Sequence, residues 1–222
     1  MIYMPKSPVA PPSLAIEKGR HSRKYNGEDV LRQLQRDFKN KCYLCETKEP
    51  HSINVEHFRP HRNDVNLMFD WDNLFFACFH CNNTKGDKFD DILNCTTDPC
   101  CDKKIRYSMD TLPLKTAKIE SVSSSSPTID NTVSLLMEIY NGTTPTKKME
   151  SQNLRKALTR SLREFTQLLI NYYESDTIDG EKKRSLREKI IDELKNSSPF
   201  TAFKRWIIRD DTVYIHDFPE TE

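Results

Sequence analysis

The chain has 222 residues, and its 34 Lys and Arg residues nearly balance its 33 Asp and Glu residues. This length allows one large domain or two small ones, and the near-neutral charge excludes a general basic coat, so any nucleic-acid affinity must come from local patches or a partner. Hydrophobic residues make up 36% of the chain, and we find no apolar run of membrane-spanning length and no hydrophobic leader, which predicts a cytoplasmic protein.

The N-terminal region is rich in proline. Residues 1–24 contain four prolines, which predict an extended arm rather than a helix: Pro5, Pro8, Pro11 and Pro12. Such an arm could lie across the domain or a partner, or be disordered. Between residues 27 and 40, apolar residues recur at helical spacing and predict a short amphipathic helix.

Four cysteines form two C-x-x-C pairs in the central part of the chain. The first cysteine pair is Cys42 with Cys45, and the second is Cys78 with Cys81. Together they supply four thiolates, which is the ligand set of a tetrahedral structural Zn²⁺ site. Chance spacing or redox chemistry is the alternative. We expect the remaining cysteines to be free thiols: Cys95, Cys100 and Cys101.

The segment between the cysteine pairs contains a short strand pattern. Residues 52–58 read SINVEHF, with alternating apolar positions, and Pro60 prevents an interior strand from continuing. His57 is therefore expected where a strand opens into a loop. Asn82 directly follows the second cysteine pair, so a zinc ion there would fix Asn82 relative to the strand.

The motifs CxxC, EHFRP, DNL and CNNTKG between residues 42 and 86 resemble the HNH nucleases of the ββα-metal, or His-Me finger, class. In this resemblance His57 is the general base and Asn73 holds the loop that carries the base. Glu56 and Asn82 are then the ligands of a catalytic Mg²⁺ or Mn²⁺ ion. All four residues are candidate catalytic residues on this basis.

The chemistry agrees with these roles. Hydrolysis of a phosphodiester needs a base with a pKa near neutrality and a cation that neutralises phosphate charge. The oxygens of Glu56 and Asn82 suit Mg²⁺ or Mn²⁺, whereas the four thiolates suit zinc. Taken singly, His57 would be an ordinary residue at the end of a strand, and Asn82 would be a residue that forms a turn. Their occurrence together with the two cysteine pairs favours a role in hydrolysis. Candidate phosphate contacts are Arg59, His61 and Lys85, for which a plain surface role is the alternative.

The rest of the chain is predicted to be mainly helical. Residues 88–93 are expected to supply the helix of the ββα unit, and residues 104–119 a short strand pair. From residue 129 apolar residues recur at helical spacing, which indicates a small helical bundle. Six positive charges between residues 147 and 163 could bind a DNA backbone or an acidic partner, or simply form a solvated helix face.

These observations predict an α+β chain: a zinc-stapled ββα-metal (HNH) nuclease core with a mainly α-helical C-terminal region. The expected parts are an extended proline-rich arm (1–24), an HNH nuclease domain with a four-cysteine zinc site (25–100), a connecting segment with a Ser-rich loop (101–127), and a helical partner-binding or support domain with an acidic tail (128–222).

A narrower resemblance covers most of the chain. The motifs CYLCE, NVEHFRPH, FDWDNLFFACFHCNNTKGDKF, LLMEIYNG and SPFTAFKRW resemble the PtuB-type nuclease components of Septu anti-phage systems, including those linked to retrons. This resemblance implies a complex with an ABC-like ATPase (PtuA-type) and, in some systems, with a reverse transcriptase and its retron DNA.

The predicted function is therefore a metal-dependent endonuclease, with DNA favoured, that acts in anti-phage defence. Two alternatives remain open from the residues alone. One is a non-catalytic zinc module that binds nucleic acid or protein, although such a module needs none of the HNH positions. The other is a nuclease that cleaves tRNA or another RNA, because nothing in the sequence distinguishes deoxyribose from ribose.

Overall fold

The structure is a computed structural model, and it describes residues 1–109, 116–122, 126–174 and 180–219. In its first half, two helices precede a pair of strands, a helix lies between the strands, and another follows them: α1 (Pro12–Gly19), α2 (Glu28–Asp37), β1 (Ile53–His57), α3 (Val65–Phe69), β2 (Leu74–Cys78) and α4 (Phe79–Lys85). The second half contains a strand pair and longer helices: α5 (Cys101–Lys104), β3 (Ile105–Met109), β4 (Ala117–Ser121), α6 (Pro127–Asn141), α7 (Pro145–Tyr173), α8 (Gly180–Leu194), α9 (Thr201–Arg209) and α10 (Thr212–Asp217).

The strands β1 and β2 and the helix α4 form the ββα unit. The strands are antiparallel, with His57 opposite Leu74 and Ile53 opposite Cys78. The helix α4 starts at the residue after β2, so β2 and α4 share the second cysteine pair. This arrangement, with mostly helical structure after it, confirms the predicted fold class.

The predicted helix over residues 88–93 is wrong. The helix of the ββα unit is α4, which ends at Lys85, and residues 87–93 are not helical. Gly86 adopts a φ of +46°, a conformation that side chains disfavour and that stops the helix. By contrast, the strand pair expected around residues 104–119 is present as β3 and β4, which are antiparallel.

The N-terminal region is packed against the core rather than forming an extended arm throughout. The prediction of an extended arm is wrong for Pro12–Gly19, which form the helix α1. Proline is tolerated in the first turn of a helix, because the N–H groups of that turn have no intrahelical partner. Before α1, Met1, Ile2 and Met4 are buried. The backbone N–H of Met4 donates to the carbonyl of Cys95 at 2.8 Å, which ties the start of the chain to the segment after the ββα unit.

Buried apolar side chains form two clusters. The nuclease-side cluster joins the N-terminal region, the ββα unit, β3, β4, α6, the first half of α7 and the start of α9. The helical cluster is smaller and is centred on α7, α8, α9 and the residue after α10: Phe165, Leu169, Tyr172, Leu186, Ile190, Leu194, Ile208 and Phe218. The helix α7 contributes to both clusters and therefore connects them.

The predicted domain boundaries stay predictions. The centre of the Ser-rich loop, residues 123–125, and the end of the acidic tail, residues 220–222, lie outside the described residues. Within the described ranges, none of the helices combines the length and the apolar character needed to cross a membrane.

Candidate functional site

The four cysteines of the two pairs meet at one point, as the sequence predicts. Each offers a sulfur atom, and these atoms all lie within 4.8 Å of one another. The sulfurs of Cys45 and Cys78 are 3.8 Å apart, and a tetrahedron with Zn–S bonds of about 2.3 Å has edges of about 3.8 Å. The donor set and its spacing therefore fit a structural zinc ion.

The two cysteine pairs are brought together by the backbone. The N–H of Tyr43, inside the first pair, donates to the carbonyl of Phe76 in β2 at 3.0 Å. Two residues later, β2 reaches Cys78. The first pair itself closes as a tight turn, in which the N–H of Cys42 donates to the carbonyl of Thr47 at 3.1 Å. Zinc would thus fasten this turn to the junction of β2 and α4.

His57 ends β1 and is held in the orientation that a general base needs. Its Nε2 lies 3.1 Å from the carbonyl oxygen of Met68. A carbonyl only accepts hydrogen bonds, so Nε2 carries the proton and the neutral ring keeps Nδ1 free as an acceptor. Burial lowers the pKa of His57, which favours the neutral ring.

Two further rings enclose His57. The rings of Tyr25 and His61 contact it edge-on, with centroid distances of 4.4 and 4.6 Å. Tyr25 comes from the segment before α2, so a residue remote in sequence restricts the His57 ring. No sequence pattern marks Tyr25, because its contact arises only when the N-terminal region packs onto the ββα unit.

Asn73 lies behind the loop that follows His57. Its Oδ1 accepts from the N–H of Arg59 at 2.7 Å, and its Nδ2 donates to the carbonyls of Arg59 and Leu67 at 2.9 and 3.0 Å. Its own carbonyl accepts from the N–H of Phe58 at 2.8 Å. Asn73 is buried, so its amide fixes the loop through the backbone and does not face substrate.

Glu56 is buried and paired with Lys85. The Lys85 ammonium lies 2.7 Å from Oε1 of Glu56 and donates to the carbonyl of His57 at 3.0 Å. Burial raises the pKa of Glu56 to about 7, although the positive charge of Lys85 opposes this shift. Lys85 therefore connects the last residue of α4 to both residues that end β1.

The expectation that Lys85 contacts phosphate is wrong. Its side chain is 0% exposed, and its ammonium is already bound to Glu56 and to a carbonyl. The physical reason is that α4 directs this side chain inward, under β1, where a buried carboxylate compensates its charge. The two other candidates lie on the loop after β1. Arg59 is exposed, and His61 is half-buried, its Nδ1 accepting from the N–H of Asn63 at 3.1 Å.

A cleft of about 350 Å³ brings three of the predicted catalytic residues together: Glu56, His57 and Asn82. His61 lies in its wall, as do residues for which the sequence offered no role: Tyr25, Arg62, Asn63, Gly86 and Asp87. The positive φ of Gly86 turns the chain so that the exposed Asp87 borders the same cleft. Carboxylate and amide oxygens are hard donors, so the residues lining this cleft fit Mg²⁺ or Mn²⁺.

His80 connects α4 to the C-terminal helices. Its Nδ1 lies 2.8 Å from a carboxylate oxygen of Glu150 in α7, and its Nε2 lies 2.8 Å from the carbonyl of Ile139 in α6. His80 falls between Cys78 and Cys81, so it joins the zinc-binding turn directly to both helices. Both ring nitrogens of His80 are occupied by these contacts, and the four cysteines already supply the four ligands of a tetrahedral zinc ion.

Comparison with known proteins agrees with this geometry. Residues 42–88 match the family model of the HNH endonucleases. The chain is also 33% identical over 112 residues to the Septu protein PtuB of Bacillus thuringiensis, an alignment that covers 44% of this chain and 43% of that protein. The match therefore spans less than half the length of that relative. Taken with the cysteine cluster and the cleft, these findings show that the chain carries an HNH endonuclease domain at residues 42–88 and resembles the Septu protein PtuB.

Proposed function

We propose that this protein is a metal-dependent endonuclease that hydrolyses phosphodiester bonds, with DNA as its preferred substrate. One observation carries the proposal. His57 keeps Nδ1 free while Nε2 is anchored to a carbonyl, and it does so in a cleft that also contains Glu56 and Asn82. A binding module would need neither an anchored base nor oxygen donors beside it.

In the proposed mechanism, Nδ1 of His57 accepts a proton from the attacking water. Glu56 and Asn82 would hold a Mg²⁺ or Mn²⁺ ion, which supplies charge neutralisation at the scissile phosphate and the leaving oxygen. Asn73 keeps the loop after His57 in place. Lys85 supports Glu56 and the backbone of His57 from within the core.

We further propose that the nuclease is a cytoplasmic effector of anti-phage defence, in a complex with an ABC-like ATPase and in some systems with a reverse transcriptase and its retron DNA. The similarity to the Septu protein PtuB supports this assignment. The near-neutral net charge of the chain supports it as well, because a partner would then supply part of the electrostatic attraction to the nucleic-acid substrate. In this proposal the C-terminal helices bind that partner or support the nuclease domain.

The test is cleavage of supercoiled plasmid and of a structured RNA by the purified protein in Mg²⁺ or Mn²⁺, with and without the ATPase. We expect His57→Ala to lower the rate of plasmid cleavage by about 10²–10⁴-fold, the contribution typical of a general base. Zinc content and thermal unfolding should not change. His51→Ala is the matched control, because His51 is exposed and lies outside the cleft.

Three outcomes would contradict parts of the proposal. A fully active His57→Ala variant would refute the assignment of the base. Cleavage of RNA but not of plasmid would refute the preference for DNA. A wild-type protein that cuts neither substrate, even with the ATPase, would refute the nuclease function.

A further inference from the structure

His61 is a cleft residue whose ring nitrogens have no part in the proposed mechanism. It lies half-buried in the wall of the cleft, on the loop that follows His57. The rings of His57 and His61 are in contact, with their centroids 4.6 Å apart and their planes at 63°. Packing against His57 needs only a flat ring, whereas the nitrogens of His61 have hydrogen-bonding capacity of their own.

The backbone after His61 determines which of its nitrogens carries a proton. The N–H of Asn63 donates to Nδ1 of His61 at 3.1 Å, so Nδ1 is the acceptor. A neutral imidazole has one donor nitrogen and one acceptor nitrogen, and Nε2 is therefore the nitrogen that carries the hydrogen. A protonated Nε2 can act neither as a metal ligand nor as a base, because both roles need its lone pair. His61 is thus held as a neutral ring with an N–H donor.

The turn that makes this hydrogen bond has an uncommon backbone conformation. Arg62 and Asn63 both adopt positive φ, at +45° and +69°. Asparagine tolerates this region, but arginine rarely adopts it. The N–H of Asp64 donates to the carbonyl of His61 at 2.6 Å and closes the turn. Such residues persist where the surrounding contacts fix them, and they cluster at functional sites. The position of the His61 ring is therefore determined by the protein before any substrate binds.

The N–H at Nε2 of His61 is available to a ligand. In the part of the chain that the structure describes, the hydroxyl of Tyr43 is the one buried side-chain nitrogen or oxygen without a hydrogen-bond partner. The Nε2 atom of His61 has no partner there either, so it is open to solvent. On the neighbouring ring, His57 keeps Nδ1 as an unprotonated acceptor. The cleft therefore offers a donor and an acceptor on two rings that are in contact.

We propose that the Nε2–H of His61 donates a hydrogen bond to a non-bridging oxygen of the scissile phosphate. The inference rests on the proposed function and deepens it, because it narrows the expected phosphate contact of His61 to one atom and makes His61 a further catalytic residue. The contact between the two rings places this donor within reach of the phosphate whose attacking water His57 deprotonates. A donor that is fixed in advance stabilises charge on the phosphate without reorganising during the reaction.

The kinetic test separates the donor from the ring. His61→Gln removes the ring and keeps an amide N–H near the place of Nε2, whereas His61→Phe keeps a ring and removes both nitrogens. We expect His61→Phe to lower kcat/KM for plasmid cleavage by about 10–100-fold, the contribution of a hydrogen bond to a charged group, and His61→Gln to recover most of that loss. Thermal unfolding checks that both variants are folded. A role in packing predicts the opposite order, so a His61→Phe protein at least as active as His61→Gln would overturn the proposal.

A second measurement does not depend on cleavage. Proton–nitrogen NMR of isotope-labelled wild-type protein, without added divalent ions, shows which nitrogen of His61 is protonated, and the His61→Phe variant identifies the signal by its absence. We expect the Nε2–H form in the free protein and a shift of its signal when a short DNA duplex is added. His51 is exposed and lies outside the cleft, so its signal should not move.

The NMR outcomes also separate this inference from the proposed function. An Nδ1–H form of His61, or a His61 signal that the duplex does not move, would overturn the phosphate contact even if the wild-type protein cleaves plasmid. If the wild-type protein cleaves neither plasmid nor RNA, the proposed nuclease function fails. A shift of the His61 signal on addition of the duplex would still support the contact in that case.

Discussion

The two apolar clusters are stabilised in different ways. In the nuclease-side cluster, polar groups fix the chain. These are the four clustered cysteines, the buried ion pair between Glu56 and Lys85, and the buried side-chain amide of Asn73. The helical cluster consists mainly of apolar side chains at helical spacing on α7 and α8, and one ion pair, Lys204 with Glu193, joins α8 to α9 beside it. Polar groups in fixed positions are what a reaction needs, so the first region carries the site. We therefore expect the second region to stay folded when the metal is lost.

The largest expected effect comes from the zinc ligands. Cys81→Ser should lose the ion and unfold the ββα unit, because structural zinc contributes on the order of 10 kcal/mol or more to folding in small zinc domains. Hydrogen exchange followed by mass spectrometry should show rapid exchange in β1, β2 and α4, while α8 stays protected. Cys100→Ser is the control, since Cys100 is an exposed free thiol. One zinc per chain in Cys81→Ser would contradict the four-cysteine assignment.

The next effect concerns the buried ion pair. Lys85→Met should lower the free energy of unfolding by about 3–5 kcal/mol, because it leaves Glu56 buried without a partner. Urea unfolding measures the loss. The double variant Glu56→Gln/Lys85→Met should recover part of it, and Lys88→Met, at an exposed ion pair, should have little effect. A Lys85→Met protein as stable as the wild type would show that the pair does not hold α4 to β1.

A change in the helical cluster should affect stability but not chemistry. Ile190 is fully buried, so Ile190→Ala should cost about 2–5 kcal/mol. Zinc content and the cleavage rate of the folded protein should not change. Ile170→Ala, at a position in α7 that is 39% exposed, provides the control. Loss of zinc in Ile190→Ala would show that the two regions fold as one unit.

The smallest effect depends on pH. Lys204 is fully buried, and its ammonium is bound to the Glu193 carboxylate. Partial burial acts to raise the pKa of Glu193, but the bond to Lys204 outweighs it, so the pKa lies below its ordinary value. The pair therefore stabilises the fold above about pH 4.5, the ordinary pKa of glutamate, and this stabilisation is lost as the pH falls through the lowered pKa.

Because Glu193 is partly exposed, Glu193→Gln should cost only about 1 kcal/mol at neutral pH. Urea unfolding between pH 3 and pH 7 should show the difference from the wild type shrinking as the pH falls. A difference that stays constant over this range would exclude an ionic contribution from Glu193.

Short-range patterns in the sequence predicted the parts of the site that depend on nearby residues. The spacing of the cysteines predicted their cluster, and the alternation around His57 predicted β1. Both patterns reflect local geometry: two residues between thiols suit one ion, and a period of two places side chains on one face of a strand.

The other contacts of the site could not be read from local patterns. Lys85 looks like a surface residue in sequence, and its burial depends on Glu56, which lies on another element. Tyr25 reaches His57 only through the packing of the N-terminal region. The sequence suggested a helix over residues 88–93 because its composition allows one, whereas Gly86 and the cysteine pair determine where the helix lies.

The packed N-terminal region has a consequence for biosynthesis. The side-chain amide of Asn196 donates to the carbonyl of Tyr3 at 2.9 Å, across a separation of 193 residues. At about 5–20 residues per second, a ribosome makes Asn196 roughly 10–40 s after Tyr3. Within that interval the chain already contains the partners of Met1 and Met4 at residues 46, 95 and 107, but not the partner of Tyr3. The contact between Tyr3 and Asn196 is thus among the last to form, so the packing of the N-terminal region is completed only after α8 has emerged.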